Sequence, residues 1–428
     1  MARGKWLNHV ACLAGLFALA QSTAAHAAEA AAKPAAEPPA APEAAPVAAP
    51  APAAAPVEAP AVATPAPVAA PAAPAPAPTD YAPLKLESAN ASIKFGFLAQ
   101  PQFEASGNQN PATNGASYNL FIRRTRLLIG GSLFGKFEYF FDTDSPNLFK
   151  AGDTGAKAAP GIGVQDAFIT YKAYEDMFKI DAGYMLPAGA HNALQGAGTL
   201  YGLDYFANSF RHQGVFNSAG DVGRDVGVQA RGLLADGLVE YRLGVFQGLR
   251  EPATMTTAAA HKFFRVAGRV QVNLLDPETG FFYAGSYLGK KKVASVGASY
   301  DFQSGYHHWG LDGFADLPLG PGALTAQINV AKWNGNSFIA ALPKQTAVMA
   351  EAGYRFDGLE VAPILRVESR KVTPAIATAP DEFRYSAGIA YFPFAHNVNL
   401  KAFYSRVAPK PGLKDYSAFN LQWQLYFF

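Results

Sequence analysis

The sequence predicts an all-β chain: a transmembrane antiparallel β-barrel of about sixteen strands, preceded by a signal peptide and a disordered Ala/Pro-rich linker. Three observations carry this. Stretches of alternating apolar and polar residues recur from Ile93 to the C-terminus. Short and long connections alternate between those stretches. Aromatic residues make up 13% of the chain, with 31 Phe and 19 Tyr, as two aromatic girdles at membrane interfaces require.

Length and composition narrow the choice. A chain of 428 residues holds either two or three soluble domains or one large barrel. Apolar content of 50% with mean hydropathy near zero excludes a chain that is disordered throughout and an α-helical membrane protein. Past the first thirty residues, no run of about 18 apolar residues occurs outside the Ala/Pro tract. A net charge of +2 excludes nucleic-acid binding by bulk electrostatics.

Residues 1–27 read as a secretory signal. Arg3 and Lys5 supply the positive start, Val10 to Ala20 the apolar stretch, and Ala25-His26-Ala27 the cleavage site. A short buried helix is the other reading. Cys12, the single cysteine, lies in the apolar stretch and leaves with it, so no disulfide framework is expected. Residues 28–78 are almost entirely Ala and Pro, which favours extended polyproline geometry over a packed core. At about 3.1 Å per residue such a segment reaches roughly 150 Å. It reads as a periplasmic spacer that contacts the cell wall, or as an inert tether.

Residues 79–428 form the expected barrel. In a strand, side chains alternate between faces with period two. Ile93, Phe95, Phe97, Ala99 and Phe103 share one face, and Lys94, Gln100, Gln102 and Glu104 the other. The last strand repeats this, with Phe419, Leu421, Trp423, Leu425 and Phe427 opposed by Asn420, Gln422 and Gln424. A soluble sheet would bury the apolar face, whereas a membrane barrel turns it to lipid and keeps the polar face on a wet lumen. A final strand ending on aromatic residues favours the barrel, although Phe428 falls out of phase with the apolar series. Strands are expected to begin near residues 93, 118, 134, 164, 177, 223, 236, 263, 292, 306, 322, 344, 359, 381, 396 and 417.

Connections such as Gly130 to Gly135 and Ala173 to Met177 are short, and they alternate with long ones at 106–117, 144–163, 187–222 and 249–262. That is the polarity of a barrel with turns at one rim and loops at the other. Asp276 to Lys292 breaks the pattern, being long where a short turn is due. Gln303 to Tyr306 is short where a loop is due. The longest connection, Pro187 to Val222, is the third loop. Its place and length suit a loop folded inward to narrow the channel, and a large surface loop is the alternative.

Several runs resemble a known family. Phe121-Ile122-Arg123-Arg124-Thr125-Arg126-Leu127 resembles the Arg-Arg-x-Arg second strand of the phosphate-selective porins of the O and P type. Asp166 to Tyr171, Ala182 to Pro187, Gly223 to Val228 and Tyr241 to Gly248 resemble later strands of that family, in its order. The resemblance spans roughly residues 90–428. It implies a sixteen-stranded homotrimer in the bacterial outer membrane that passes small solutes, often anions such as phosphate, without a cofactor.

The candidate pore-lining and anion-binding residues are Arg123, Arg124, Arg126, Arg211, His212, Arg231 and Arg242. Arginine offers a fixed charge and a planar fork that matches phosphate or carboxylate oxygens. By the resemblance, Arg123 and Arg124 match the basic pair on the pore wall. Arg124 and Arg126 share a face, which puts Arg123 on the other. A lipid-facing arginine at mid-depth costs about 2–4 kcal/mol, so Arg123 belongs at a rim, a bulge or a subunit contact. The competing reading balances each arginine with a lumen acid. Three of 35 basic and four of 33 acidic residues precede Thr79, leaving 32 against 29, and Glu104, Asp142, Asp166, Asp181, Glu240, Asp312 and Glu382 are lumen-facing candidates. The third loop holds no lysine, which weighs against a phosphate site built on lysine and arginine.

Two other functions compete. An outer-membrane hydrolase needs a Ser/His or Asp/His constellation, but no G-x-S-x-G occurs and no histidine sits in a motif. Asp142-x-Asp144 is a faint metal motif and a better turn-former. In the other alternative, the barrel only anchors a structural protein that tethers the envelope through its Ala/Pro arm.

Overall fold

The computed structural model describes residues 83–108, 115–152, 156–157, 160–206, 223–250, 263–374 and 380–428. The signal-peptide and linker readings, Arg211 and His212 lie outside these residues.

Among the described residues, seventeen strands form one sheet. β1 (Leu84–Glu87) is short and exposed. Sixteen longer strands follow: β2 (Ala91–Gly107), β3 (Ala116–Leu133), β4 (Phe137–Asp144), β5 (Gly163–Tyr174), β6 (Phe178–Met185), β7 (Asp225–Leu234), β8 (Val239–Phe246), β9 (Arg265–Asn273), β10 (Val293–Gln303), β11 (Tyr306–Pro318), β12 (Gly322–Asn334), β13 (Gln345–Phe356), β14 (Val361–Val372), β15 (Asp381–Phe394), β16 (Val398–Lys410) and β17 (Tyr416–Phe427). Each pairs antiparallel with its sequence neighbour. The barrel closes where β17 meets β2, with Leu421 opposite Phe103 and Phe427 opposite Phe97. β1 then takes over that edge of β2, with Leu84 opposite Phe95. Closure removes the free edges that an open sheet would expose, so each of the sixteen long strands has a partner on both sides, as hydrocarbon requires.

Every expected strand is present, and the largest error in a start is three residues, as at β4, which begins at Phe137 rather than 134. The reason is the period-two alternation of the faces. Leu120 is 78% exposed, Leu365 66% and Trp423 62%, all on the outer wall. Outward aromatics gather toward the strand ends: Phe137, Tyr171, Tyr174 and Tyr391 at one rim, Tyr118, Tyr300, Phe383 and Tyr385 at the other. An apolar belt between aromatic girdles is a surface for lipid. Among the described residues, no helix is long and apolar enough to cross a membrane, and the chain crosses with strands.

At the rim holding both barrel ends, turns are tight. Phe134 and Gly135 between β3 and β4 both have positive φ (52° and 67°), as a primed hairpin turn needs. The expected exception has a structural cause: the segment 274–292, between β9 and β10, folds into the barrel. Phe281, Tyr283, Ser286 and Leu288 in it are buried. The short connection at the opposite rim is a two-residue turn, with Gln303 paired to Tyr306.

Phe428 is on the inner face, in phase with Gln424 and Tyr426, while Phe427 packs outside against Phe97 with ring centroids 6.3 Å apart. Its ring fits because β2 and β3 present glycines there. A Cβ on Gly96 or Gly130 would lie 2.6 Å or 2.8 Å from it.

Candidate pore

The third loop, described over residues 186–206, folds inward and includes two single-turn 3-10 helices, His191–Leu194 and Ala197–Thr199. It meets segment 274–292 inside the barrel. Gln195 and Tyr283 form a parallel bridge. Gly196 N–H donates to the Tyr283 carbonyl (2.8 Å), Tyr283 N–H to Leu194 (2.9 Å) and Ser286 N–H to Thr199 (3.1 Å). One insert enters from each rim, and both pack apolar side chains against the inner wall. Tyr201 and Leu288 from the inserts pack against Ile364, Phe392 and Phe403 of the wall. Phe206 packs on Tyr306, Trp333 and Met349.

A buried latch joins the two inserts. His191 lies between the rings of Tyr283 and Phe314, at 4.5 Å and 4.2 Å, nearly parallel to both. The Gln195 side-chain amide donates to its Nδ1 (3.1 Å), so Nε2 carries the proton and donates to Glu278 (2.8 Å). The Tyr287 hydroxyl donates to the same carboxylate (2.8 Å). Burial pushes the Glu278 carboxyl up, but His191, Tyr287 and Arg269 outweigh it and hold it below the usual glutamate range.

The candidate arginines fall into two groups. Arg123 and Arg124 both point inward, because β3 bulges against β2. Ala99 faces Thr125 and Pro101 faces Ile122, so two residues on β3 oppose the single Gln100. A bulge reverses the alternation at that point. Above it Asn119 and Phe121 face in; below it Arg126 and Leu128 do. Both guanidiniums donate to one carboxylate, Asp204 of the third loop, with Arg123 Nε 2.7 Å from Oδ2. Arg124 also donates to Gln100 (2.9 Å) and lies over the Tyr205 ring. Burial raises Asp204, but the two guanidiniums overcome it and hold the carboxyl far below its ordinary range.

Arg126, Arg231 and Arg242 are buried and acid-paired. Arg126 donates to Asp144 (3.0 Å) and Asp142 (3.4 Å), and the Asp-x-Asp run lies within β4 rather than forming a turn. Arg231 holds Asp181 at 2.8 Å. Arg242 holds Glu240 at 2.7 Å and the Phe281 carbonyl, also at 2.7 Å. These arginines brace the wall and the inserted segment. All seven acids expected on the lumen face have basic partners, Lys150, Arg126, Arg224, Arg231, Arg242, Arg269 and Arg384 in chain order of the acids.

Period-two reading could not find the residues that seat the loop. Lys401 Nζ donates to the Leu200 (2.6 Å) and Gly202 (2.9 Å) carbonyls. Arg366 donates to the Asp204 carbonyl (2.7 Å) and holds Glu351. Arg269 donates to the Gly189 carbonyl (3.1 Å) and to Asp312. Their only signal was inward-facing charge on a strand, and the loop partner lies far away in sequence. Beneath the joined inserts, a cavity of about 780 Å³ opens between them and the wall of β2–β7.

No protein-family model matches the sequence, and comparison with curated proteins finds no match. Solved structures do match. The anion-selective porin from Comamonas acidovorans superposes with TM-score 0.54 at 14% identity, covering 79% of this chain and 100% of that one. OmpF of Salmonella typhi, solved with daunomycin, gives TM-score 0.51 at 13% identity, covering 80% and 100%. The outer membrane channel DcaP of Acinetobacter baumannii gives 0.50 at 12% identity, covering 80% and 99%. At such identities the likeness is one of fold: the chain is a sixteen-stranded barrel of the outer-membrane porin type, with one added strand.

Proposed function

We propose that the chain is an outer-membrane porin through which small hydrophilic solutes diffuse passively, with a mild preference for anions. The observation that carries this reading is a closed, lipid-faced barrel whose lumen is charged and narrowed by inserts from both rims. A barrel of this strand number encloses an aqueous channel unless it is plugged. The inserts here leave a cavity of about 780 Å³ below them.

The anion preference rests on Arg123 and Arg124, where two guanidiniums share one carboxylate. Fixed charge at a constriction concentrates counter-ions and rejects co-ions. The remaining candidate arginines among the described residues spend their charge on acids, which favours a weak preference over a dedicated phosphate site. Membership of the phosphate-selective O and P family, trimeric assembly and cell-wall contact through the Ala/Pro arm belong to this proposal. Reversal potentials in asymmetric salt, with and without phosphate, test it. A modest shift toward the chloride potential is expected, with phosphate no stronger than chloride. A cation-selective pore would overturn the anion reading.

A further inference from the structure

We propose that the cavity beneath the constriction binds a small planar aromatic carboxylate in transit; this rests on the porin reading and names a solute class for it. Its size, about 780 Å³, is that of a small-molecule site. Its lining is unusual for a water path. Phe140 from β4, Phe282 from the inserted segment and Phe428 from the chain's end converge there, each half-exposed, with Phe282 and Phe428 edge-on to Phe140 at 5.5 Å and 5.6 Å. Three elements thus bring apolar ring faces to one wet surface, where a flat apolar group would displace water from them.

One cation completes the site. Lys94 Nζ lies 3.9 Å from the centre of the Phe428 ring. The other basic groups on the inner wall here, Arg126, Lys179, Arg224 and Arg231, each hold an aspartate. Of the acids facing the cavity, Glu138 pairs with Lys172 and Asp142 with Arg126. Among the described residues Lys94 has no such carboxylate partner, so its charge is available to a solute. An ammonium beside a cluster of edge-on rings recognises an anionic group attached to a ring, and neither half alone. Pro83 and Lys85 of the β1 region also line the cavity, so it reaches the rim where the chain's barrel ends lie.

The test uses the full-length mature protein in planar bilayers in KCl, with benzoate, acetate or benzyl alcohol added to each side in turn. Benzoate is expected to interrupt the current at concentrations at least tenfold below those at which acetate or benzyl alcohol does so. Lys94→Gln should remove that difference and Lys94→Arg should keep it. Phe282→Ser should weaken it fivefold or more. Equal potency of benzoate and acetate, or of benzoate and benzyl alcohol, would overturn the proposal, as would an unchanged benzoate effect in Lys94→Gln. Calorimetry of benzoate on the detergent-held protein separates the two readings. Binding that Lys94→Gln abolishes, in a protein that does not conduct, would refute the pore and keep the site. Conduction without benzoate binding would do the reverse.

Discussion

Replacing Arg123 by Gln removes one charge from the constriction while leaving the loop seated. Arg123 is the more accessible of the basic pair, its side chain 23% exposed against 3% for Arg124. Arg124 keeps Asp204 and Gln100, and Arg366 keeps the Asp204 carbonyl. The local sum of the two arginines and Asp204 falls from one positive charge to zero. For an ion passing at about 6 Å in water, a unit charge is worth about 0.7 kcal/mol. With a Debye length of about 10 Å at 0.1 M salt, screening reduces this to about 0.4 kcal/mol. An anion gains that much and a cation loses it, so the anion-to-cation permeability ratio should fall about three- to fourfold, and more at low salt. Reversal potentials across a tenfold KCl gradient measure this directly. An unchanged ratio in a variant that still gives unitary steps and migrates as a folded barrel would refute the assignment of uncompensated charge to this pair.

Other outcomes follow from the joined inserts. Glu278→Ala leaves the His191 N–H and the Tyr287 hydroxyl without their acceptor, at about 1–3 kcal/mol each. Even about 2 kcal/mol in total raises the parted state roughly thirtyfold. Current noise should increase, and amides 194–199 should lose hydrogen-exchange protection; a silent variant would contradict the latch. Because Glu278 is held below its ordinary value of 4.5, its contribution is fully present above that pH and is lost as pH falls through its folded value. Protection of the same amides, corrected for the intrinsic pH dependence of exchange, should therefore be flat from pH 7 to 5 and fall only below about pH 4.5; a fall near pH 6 would contradict this. Replacing residues 277–290 by a short glycine turn should enlarge the unitary conductance several-fold, and an unchanged conductance would show that this segment does not narrow the path.

Much of the wall was legible because period two is imposed by the strand itself. Which face Trp423 or Gln422 takes needs no knowledge of a neighbour. Loop polarity was legible for the same reason, since strand spacing exposes it. Asp276 to Lys292 stands out by length alone. Its destination was not readable. The register that brings Tyr283 to Gln195 depends on two inserts closing over dozens of residues. Strict alternation puts Arg123 on the outer face, and the cost of a lipid-facing arginine leaves a rim, a bulge or a subunit contact; the bulge opposite Gln100 is the one realised. The acid partners were also hidden. Alternation assigns Arg231 and Asp181 to the lumen, and only strand order makes them neighbours.

The central claim is that lipid meets the aromatic outer face while water runs through the middle. Unitary conductance of the purified mature protein in a planar bilayer tests it most directly, run beside a variant lacking residues 28–78. The account predicts discrete open steps of equal size in both. Bilayers that stay electrically tight with the folded barrel inserted would contradict it.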